Sequence, residues 1–243
     1  MSNAASNPQL TFLGHLEELR RRLGICLAVF LVTVGVSFTQ IERIIRWLQH
    51  PVERFLPHFA YFSPTEPIIA YVKVSVLAGF ILSMPVFLTQ LWGFVRGGLT
   101  AQERSYGLAF IWWGSGLFVT GTAFGYYVLL PASLQVLLGI GRGYLEPMIS
   151  IDQYLSFVTT LVFWCGVIFE LPALIFLLAK VGIVTTAWLR QQRPYAVLIL
   201  VTIAAIVTPT TDPVNLLLLS IPLIVLYELS ILLIQLSVRR RPE

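Results

Sequence analysis

The sequence predicts an all-α polytopic membrane protein with six transmembrane helices, both chain ends in the cytoplasm, and short fifth and sixth helices. Three observations predict it. Hydrophobic residues make up 57% of the 243 and charged residues only 12%, against roughly 25% charged in ordinary globular chains, and mean hydropathy is +0.82. Charge-free stretches, each a candidate for the roughly 20 apolar residues of a span, follow Arg22, Lys73, Arg104, Asp152, Arg193 and Asp212. The basic residues fall unevenly on the two sides of those stretches. Such a composition excludes a nucleic-acid binder, a secreted disulfide scaffold and a disordered hub. The net charge of +4 is instead a topology signal.

The elements follow in order along one integral membrane domain, 1–243. A cytoplasmic N-terminal segment, 1–21, leads into a first helix at 22–40. Glu17 and Glu18 precede that helix and no small-residue cleavage site follows it, so it reads as an uncleaved span rather than a signal peptide. Residues 41–67 carry Pro51, Pro57, Pro64 and Pro67 and read as an external cap loop, with Ile41 to Trp47 as an amphipathic interfacial turn pair. A second helix at 69–95 is followed by a cytoplasmic loop at 96–106. A third is expected at 107–130, ended by Pro131 and by Gly139, Gly141 and Gly143, which set off an external loop at 131–152. Within it, Gly121 and Gly125 form a small-xxx-small pattern for close helix packing.

The fourth helix, 153–180, contains Pro172, which cannot donate a backbone hydrogen bond and kinks the chain near Glu170. A cytoplasmic loop at 181–193 leads to the fifth helix, 194–208, only 15 residues. At 1.5 Å per residue that is about 22 Å, short of a hydrocarbon core of about 30 Å, so local thinning or burial in a bundle is required. After the turn Thr208-Pro209-Thr210-Thr211-Asp212-Pro213 comes the sixth helix, 214–236, closing a stubby hairpin, and then a cytoplasmic tail at 237–243. An internal echo places Gly79-Phe80-Ile81 before Pro85 as Gly166-Val167-Ile168 stands before Pro172; internal repeats are common in transporters.

Orientation follows from the charges. Eleven basic residues lie at the N-terminus, in the second and fourth connections and at the C-terminus; opposite stand Arg43, Arg46, Arg54, Lys73 and Arg142. The excess marks the cytoplasmic side, and both termini share it only with an even number of spans.

Charged groups inside the apolar runs are the candidate functional residues. A mid-span acid costs roughly 2.5 to 3.5 kcal/mol on insertion scales and is functional by default. Glu170 is the clearest case, set beside backbone loosened by Pro172 where water or a partner could reach it. A hydrogen-bonded Glu joining two helices is the competing reading. Glu228 in the last span has the same two readings, and Lys73 opens the second span where its stem can snorkel outward. Together Glu170 and Glu228 would suit a secondary transporter or proton channel, the alternative function.

On the cationic inner face the non-terminal acids are Glu17, Glu18 and Glu103, in two separate segments. Glu18 and Arg22 stand at i,i+4 and Glu17 and Arg20 at i,i+3, so helix-surface pairing competes with ligand binding. No metalloprotease, nucleophile-elbow or phosphate-loop pattern occurs, and His15, His50 and His58 are split between the two sides. Cys26 and Cys165 sit in apolar runs without metal or redox spacing. No enzyme, cofactor or metal site is expected.

Several segments, taken together, carry a resemblance. They are Phe12-Leu13-Gly14-His15-Leu16-Glu17-Glu18-Leu19-Arg20-Arg21-Arg22-Leu23, Met84-Pro85-Val86, Gln90-Leu91-Trp92-Gly93-Phe94 running to Leu99 and Glu103-Arg104, Phe169-Glu170-Leu171-Pro172, Arg193-Pro194-Tyr195, and Ile221-Pro222-Leu223 with Tyr227-Glu228. In this order, from Leu10 to about Leu236, the chain resembles the TatC family, the receptor subunit of the twin-arginine protein translocase. The turn departs from that family: where a Thr-Pro-Pro-Asp turn and a later Gln are usual, this chain has a turn one residue longer, ending at Asp212, and Leu216 in place of the Gln.

The resemblance implies a concave six-span receptor in a bacterial or archaeal cytoplasmic (inner) membrane, binding twin-arginine signal peptides of folded cargo and drawing on the proton-motive force. It implies single-span TatA and TatB type partners, a homo-oligomeric receptor complex, contact with membrane lipid and no nucleic acid. The signal-peptide-binding residues it implies are Glu18, Arg20 and Glu103 with Phe94 and Leu99 nearby; the intramembrane polar site is Glu170, with Glu228. Consecutive residues of an extended peptide point to opposite sides, so two adjacent arginines need acids from two segments. Bidentate, charge-assisted pairing favours Arg over Lys.

Overall fold

The computed structural model of the protein describes residues 8–52, 59–96, 104, 107–139, 148–208 and 213–238. Its described helices are α1 (Pro8–Thr39), α2 (Ile41–Gln49), α3 (Glu66–Val95), α4 (Gly107–Phe124), α5 (Leu130–Gly139), α6 (Ile151–Phe169), α7 (Leu171–Lys180), α8 (Thr186–Gln191), α9 (Arg193–Val207) and α10 (Pro213–Val238). A single π-helical turn, Gly125–Leu129, joins α4 to α5.

Five of the described helical stretches are long and apolar enough to cross a membrane: Leu16–Thr39, Glu66–Val95, Gly107–Gly139, Ile151–Lys180 and Leu216–Gln235. The sixth expected span, α9, has only 15 residues, so the expectation of six becomes five full-length candidates and one short apolar helix. A short helix, α8, stands in the expected 181–193 loop, and two other boundaries lie more than three residues from the sequence reading. Helix α1 starts at Pro8 rather than residue 22, because proline suits a first helical position and the Glu/Arg-rich segment after it consists of good helix formers. The third long helix does not end at Pro131. The π turn just before it, closed by Leu130 N–H to Gly125 O, opens the ladder where a ring without N–H must fit, and the helix runs on to Gly139. Residues 140–147 of the expected external loop, with Arg142, lie outside the described residues.

The helices approach each other at small residues. A Cβ at Gly79 would meet the side chain and backbone of Val34 within 3 Å, and Thr33 uses the gap to donate its hydroxyl to Gly79 O at 2.9 Å. That contact seats α1 on α3, although α1 is otherwise largely unburied along its apolar length. Gly166 does the same one repeat later, making room on α6 for Phe118 and Thr122 of α4. The echo between Gly79 and Gly166 is thus one packing device used twice, each glycine admitting the preceding long helix. From the α4 side, Gly121 and Gly125 close onto Cys165, Phe169 and Val162 as the small-xxx-small spacing predicts. Around these contacts Phe80 gathers Phe30, Phe87, Phe118 and Phe163 with ring centroids 5.0 to 6.3 Å away.

At the end of the bundle where α1 stops, α2 lies with Ile41, Ile45 and Leu48 buried. Two tyrosines fasten its last carbonyls: Tyr126 donates to Trp47 O at 2.5 Å and Tyr154 to Leu48 O at 2.7 Å. Ala60 pairs with Ser150 in an isolated bridge, and the Ser150 hydroxyl donates to Glu66 Oε2 at 2.5 Å while capping the start of α6. Lys73 does not snorkel. Its ammonium donates to Asp152 at 2.7 Å and Ser156 at 2.6 Å, tying α3 to α6.

At the opposite end, α10 holds the short helices. Tyr227 donates to Leu189 O of α8 at 2.8 Å, and Arg193 at the start of α9 pairs with Glu228 at 2.6 Å.

Candidate functional site

The first candidate site grows from the i,i+4 spacing of Glu18 and Arg22 on α1. Both Nε and Nη2 of Arg22 donate to Oε1 of Glu18, at 3.1 and 2.5 Å. The third nitrogen, Nη1, reaches across to α3 and meets the Gln90 side-chain oxygen at 3.3 Å and its backbone carbonyl at 3.4 Å. The guanidinium can lie there because residue 93 is glycine: a Cβ would collide with it. The Arg22 side chain is 18% exposed and that of Glu18 is 42% exposed. Helix-surface pairing, one of the two readings of Glu18, is therefore realised, and it is extended into an interhelical contact. The sequence motif Gln90-Leu91-Trp92-Gly93 holds the signal that could have found the Gln90 and Gly93 contributions.

Around this junction Arg20 and Phe94 are exposed, while Trp92 is buried against Phe110 at 5.1 Å between ring centroids. The Trp92 indole occupies the space a Cβ at Gly107 would need. The end of α3 and the start of α4 are thereby held together. Glu103 and Leu99, on the segment between them, lie outside the described residues, as does Asp212.

The second candidate site is Glu170, at the break between α6 and α7. Its N–H bonds back three residues to Val167 O at 3.1 Å and its carbonyl accepts from Leu174 N–H at 2.9 Å, so the ladder tightens and restarts at the Pro172 turn. The residue is 3% exposed, and neither carboxyl oxygen has a hydrogen-bond partner. The expectation that it lies open to water is corrected: the bundle closes over it. Gly114 on α4 gives the carboxyl its room, since a Cβ there would stand 3.2 Å from Oε2 and 2.6 Å from Leu88 of α3. The Ser115 hydroxyl, next along α4, is likewise buried without a partner. A carboxyl in apolar surroundings with unsatisfied lone pairs carries a desolvation cost that the fold does not offset.

Glu228 stands differently. It carries the Arg193 guanidinium, with side chains 42% and 46% exposed. It closes the hairpin of α9 and α10 rather than standing as an unpaired acid, and the sequence reading missed Arg193 as its partner. Also missed was the Lys73, Asp152 and Ser156 cluster, whose signal was a Lys and an Asp each opening an apolar run. No group of three or more His, Cys, Asp or Glu suited to a metal occurs among the described residues.

These features define a class, a polytopic helical membrane protein whose polar groups couple its helices. A family model described as Sec-independent protein translocase protein (TatC) matches residues 14–222. The chain is 38% identical over 228 residues to the Sec-independent protein translocase protein TatC of Koribacter versatilis, covering 91% of this chain and 84% of that one. To the protein of the same description from Aquifex aeolicus it is 36% identical over 233 residues, covering 94% and 96%. It is similar to the crystal structure of the twin arginine translocase receptor TatC, with a TM-score of 0.80, 36% identity, and coverage of 92% of this chain and 99% of that one. The chain belongs to the TatC family. It is thus a multi-pass component of the Tat protein-transport system and not an enzyme, and the transporter or proton-channel alternative falls away.

Proposed function

We propose that this chain is the signal-peptide receptor of the twin-arginine translocase, capturing the paired arginines of folded cargo between Glu18 and Glu103, with Arg20 orienting the site and Phe94 and Leu99 offering apolar contact. The observation that carries the proposal is the bond pattern at Glu18. This carboxylate already holds one guanidinium through two of its nitrogens, so its surroundings suit the group a twin-arginine ligand would bring. Glu103 stands four residues before Gly107, and four residues reach at most about 14 Å. Gly107 packs on Trp92, the neighbour of the Gly93 that seats Arg22. One short peptide could therefore engage both acids.

In this reading α9 completes a six-helix, cupped bundle as a short sixth membrane helix, with both termini in the cytoplasm of a bacterial or archaeal cell. The charge asymmetry of the sequence supports that orientation. Glu170 receives a polar residue of a single-span TatA or TatB type partner, or of the translocating hairpin, in a homo-oligomeric complex energised by the proton-motive force. The short α9 is the docking edge for such a partner, where local thinning favours helix association.

The test is binding of a twin-arginine peptide and its twin-lysine control to the detergent-purified protein, repeated with Glu18→Ala and Glu103→Ala. Preference for arginine, lost in both variants while membrane insertion persists, is the expected result. Normal capture by both variants would refute it.

A further inference from the structure

We propose that the groove between α1, α2, α3 and α4 is a binding site for one anionic glycerophospholipid, with one of its two acyl chains along the bundle and its phosphodiester on Arg43.

The groove has a volume of about 570 Å³ and is walled almost entirely by apolar groups, including Leu77, Ile81 and Val119 along its depth. Polar character is concentrated at the α2 end, where Gln40 and Arg43 stand. The apolar lining suits a hydrocarbon chain, and the polar α2 end suits the headgroup that chain carries.

The depth of the charged end is marked independently. Trp47, Tyr126 and Tyr127 all line the groove beside α2, with Trp47 stacked on Tyr126 at 4.0 Å and 6.2 Å from Tyr127. Aromatic clusters of this kind belong at the headgroup level of a bilayer. Helix α2 itself is buried along Ile41, Ile45 and Leu48 and carries exposed Glu42, Arg43 and Arg46 on its other side, as an interfacial helix does. Among the described residues Arg43 has no acidic partner: the three ion pairs join other residues, and Glu42, the acid on the same helix, takes part in none. A guanidinium at headgroup level above an apolar groove is complementary to a phosphodiester with a hydrocarbon tail, since Arg pairs phosphate through two N–H groups at once. A headgroup carrying its own ammonium competes for that phosphate; a net anionic one does not.

The groove contains its own reporter in Trp47. The experiment reconstitutes the full chain into vesicles containing, at equal mole fraction, either phosphatidylglycerol or phosphatidylcholine with the same brominated acyl chains. The quenching of Trp47 is taken as the difference between the chain and its Trp47→Phe variant. The expected result is stronger quenching by the brominated phosphatidylglycerol, corresponding to about fivefold enrichment beside Trp47, the ratio equivalent to about 1 kcal/mol per basic residue at a membrane surface. Arg43→Gln should abolish the preference, Arg43→Lys should retain part of it, and Arg46→Gln, which alters the same helix outside the groove, should leave it intact. Arg43 is exposed, so these variants keep the fold, and unchanged Trp47 emission in phosphatidylcholine verifies that. Equal quenching by both lipids in the parent chain would overturn the proposal. So would a preference that survives Arg43→Gln, or one lost equally in Arg46→Gln, which would mean diffuse surface attraction.

Discussion

The Arg22 guanidinium binds Glu18 on its own helix and Gln90 on α3, so the carboxylate proposed to receive a ligand's arginine already holds an internal one. A ligand must displace or share it. Removing Arg22 should therefore favour capture. We expect Arg22→Gln to tighten twin-arginine peptide binding by about two- to fivefold, the equivalent of the 0.5 to 1 kcal/mol typical of a partly exposed pair. The twin-lysine control should gain at least as much, so that discrimination narrows. Fluorescence anisotropy with both peptides checks it; weaker binding of both would make Arg22 a ligand contact instead.

The same contact can be disturbed without touching a charge. Gly93→Ala would put a methyl where the guanidinium lies, and the flexible Arg22 can swing aside at little cost. Alanine also gains about 0.5 to 1 kcal/mol over glycine within a helix. Thermal stability in detergent should be unchanged or slightly raised while peptide binding shifts in the direction of Arg22→Gln. A stability loss with no change in binding would separate the glycine from the site.

How far this was legible in the sequence depends on the kind of signal. Hydrophobic runs located the five long candidate spans and the 15-residue α9, because transfer into lipid is a property of composition. The Glu170 break was legible for a local reason, the missing N–H of Pro172. By contrast, Pro131 misled: its conflict is absorbed by the preceding π turn, and nothing in local composition distinguishes that solution from a helix end. Pairings across the bundle stayed hidden, since Lys73 and Asp152 are 79 residues apart, and Arg193 with Glu228 35 apart. At Glu18 the spacing announced the Arg22 bond, whereas Gln90 entered only once Gly79 had seated α1 on α3.

That seat gives a prediction about stability. The Cβ of Gly79→Ala would stand 2.6 Å from the Val34 side chain and 2.8 Å from its backbone nitrogen. Rotamer change cannot relieve a clash with backbone, so α1 must shift. Overpacking of this kind costs about 1 to 3 kcal/mol. Gly116→Ala, with nothing within 4 Å of its Cβ, is the matched control. Thermal unfolding in detergent should fall for the first and not for the second.

Lys73 and Asp152 form a partly buried pair that also engages Ser156. Removing one partner leaves the other poorly solvated, whereas removing both leaves no orphan charge. Lys73→Met should thus lower the melting temperature more than Lys73→Met with Asp152→Leu. A double-mutant cycle, with a coupling energy of about 0.5 to 3 kcal/mol for residues in contact, tests it; additive losses would reduce the pair to independent surface charges.

Glu170 makes the opposite trade. Its carboxyl is buried and unpaired, with Gly114 close beside it. An unsatisfied buried polar group costs about 1 to 3 kcal/mol, so Glu170→Leu should raise the melting temperature of the purified protein while abolishing transport of a twin-arginine cargo. Glu170→Gln keeps the shape and hydrogen-bonding capacity, so it should fall between the two in stability and keep more transport than the leucine variant. A leucine variant that is less stable than the parent would mean that the carboxyl supports the fold rather than waiting for a partner.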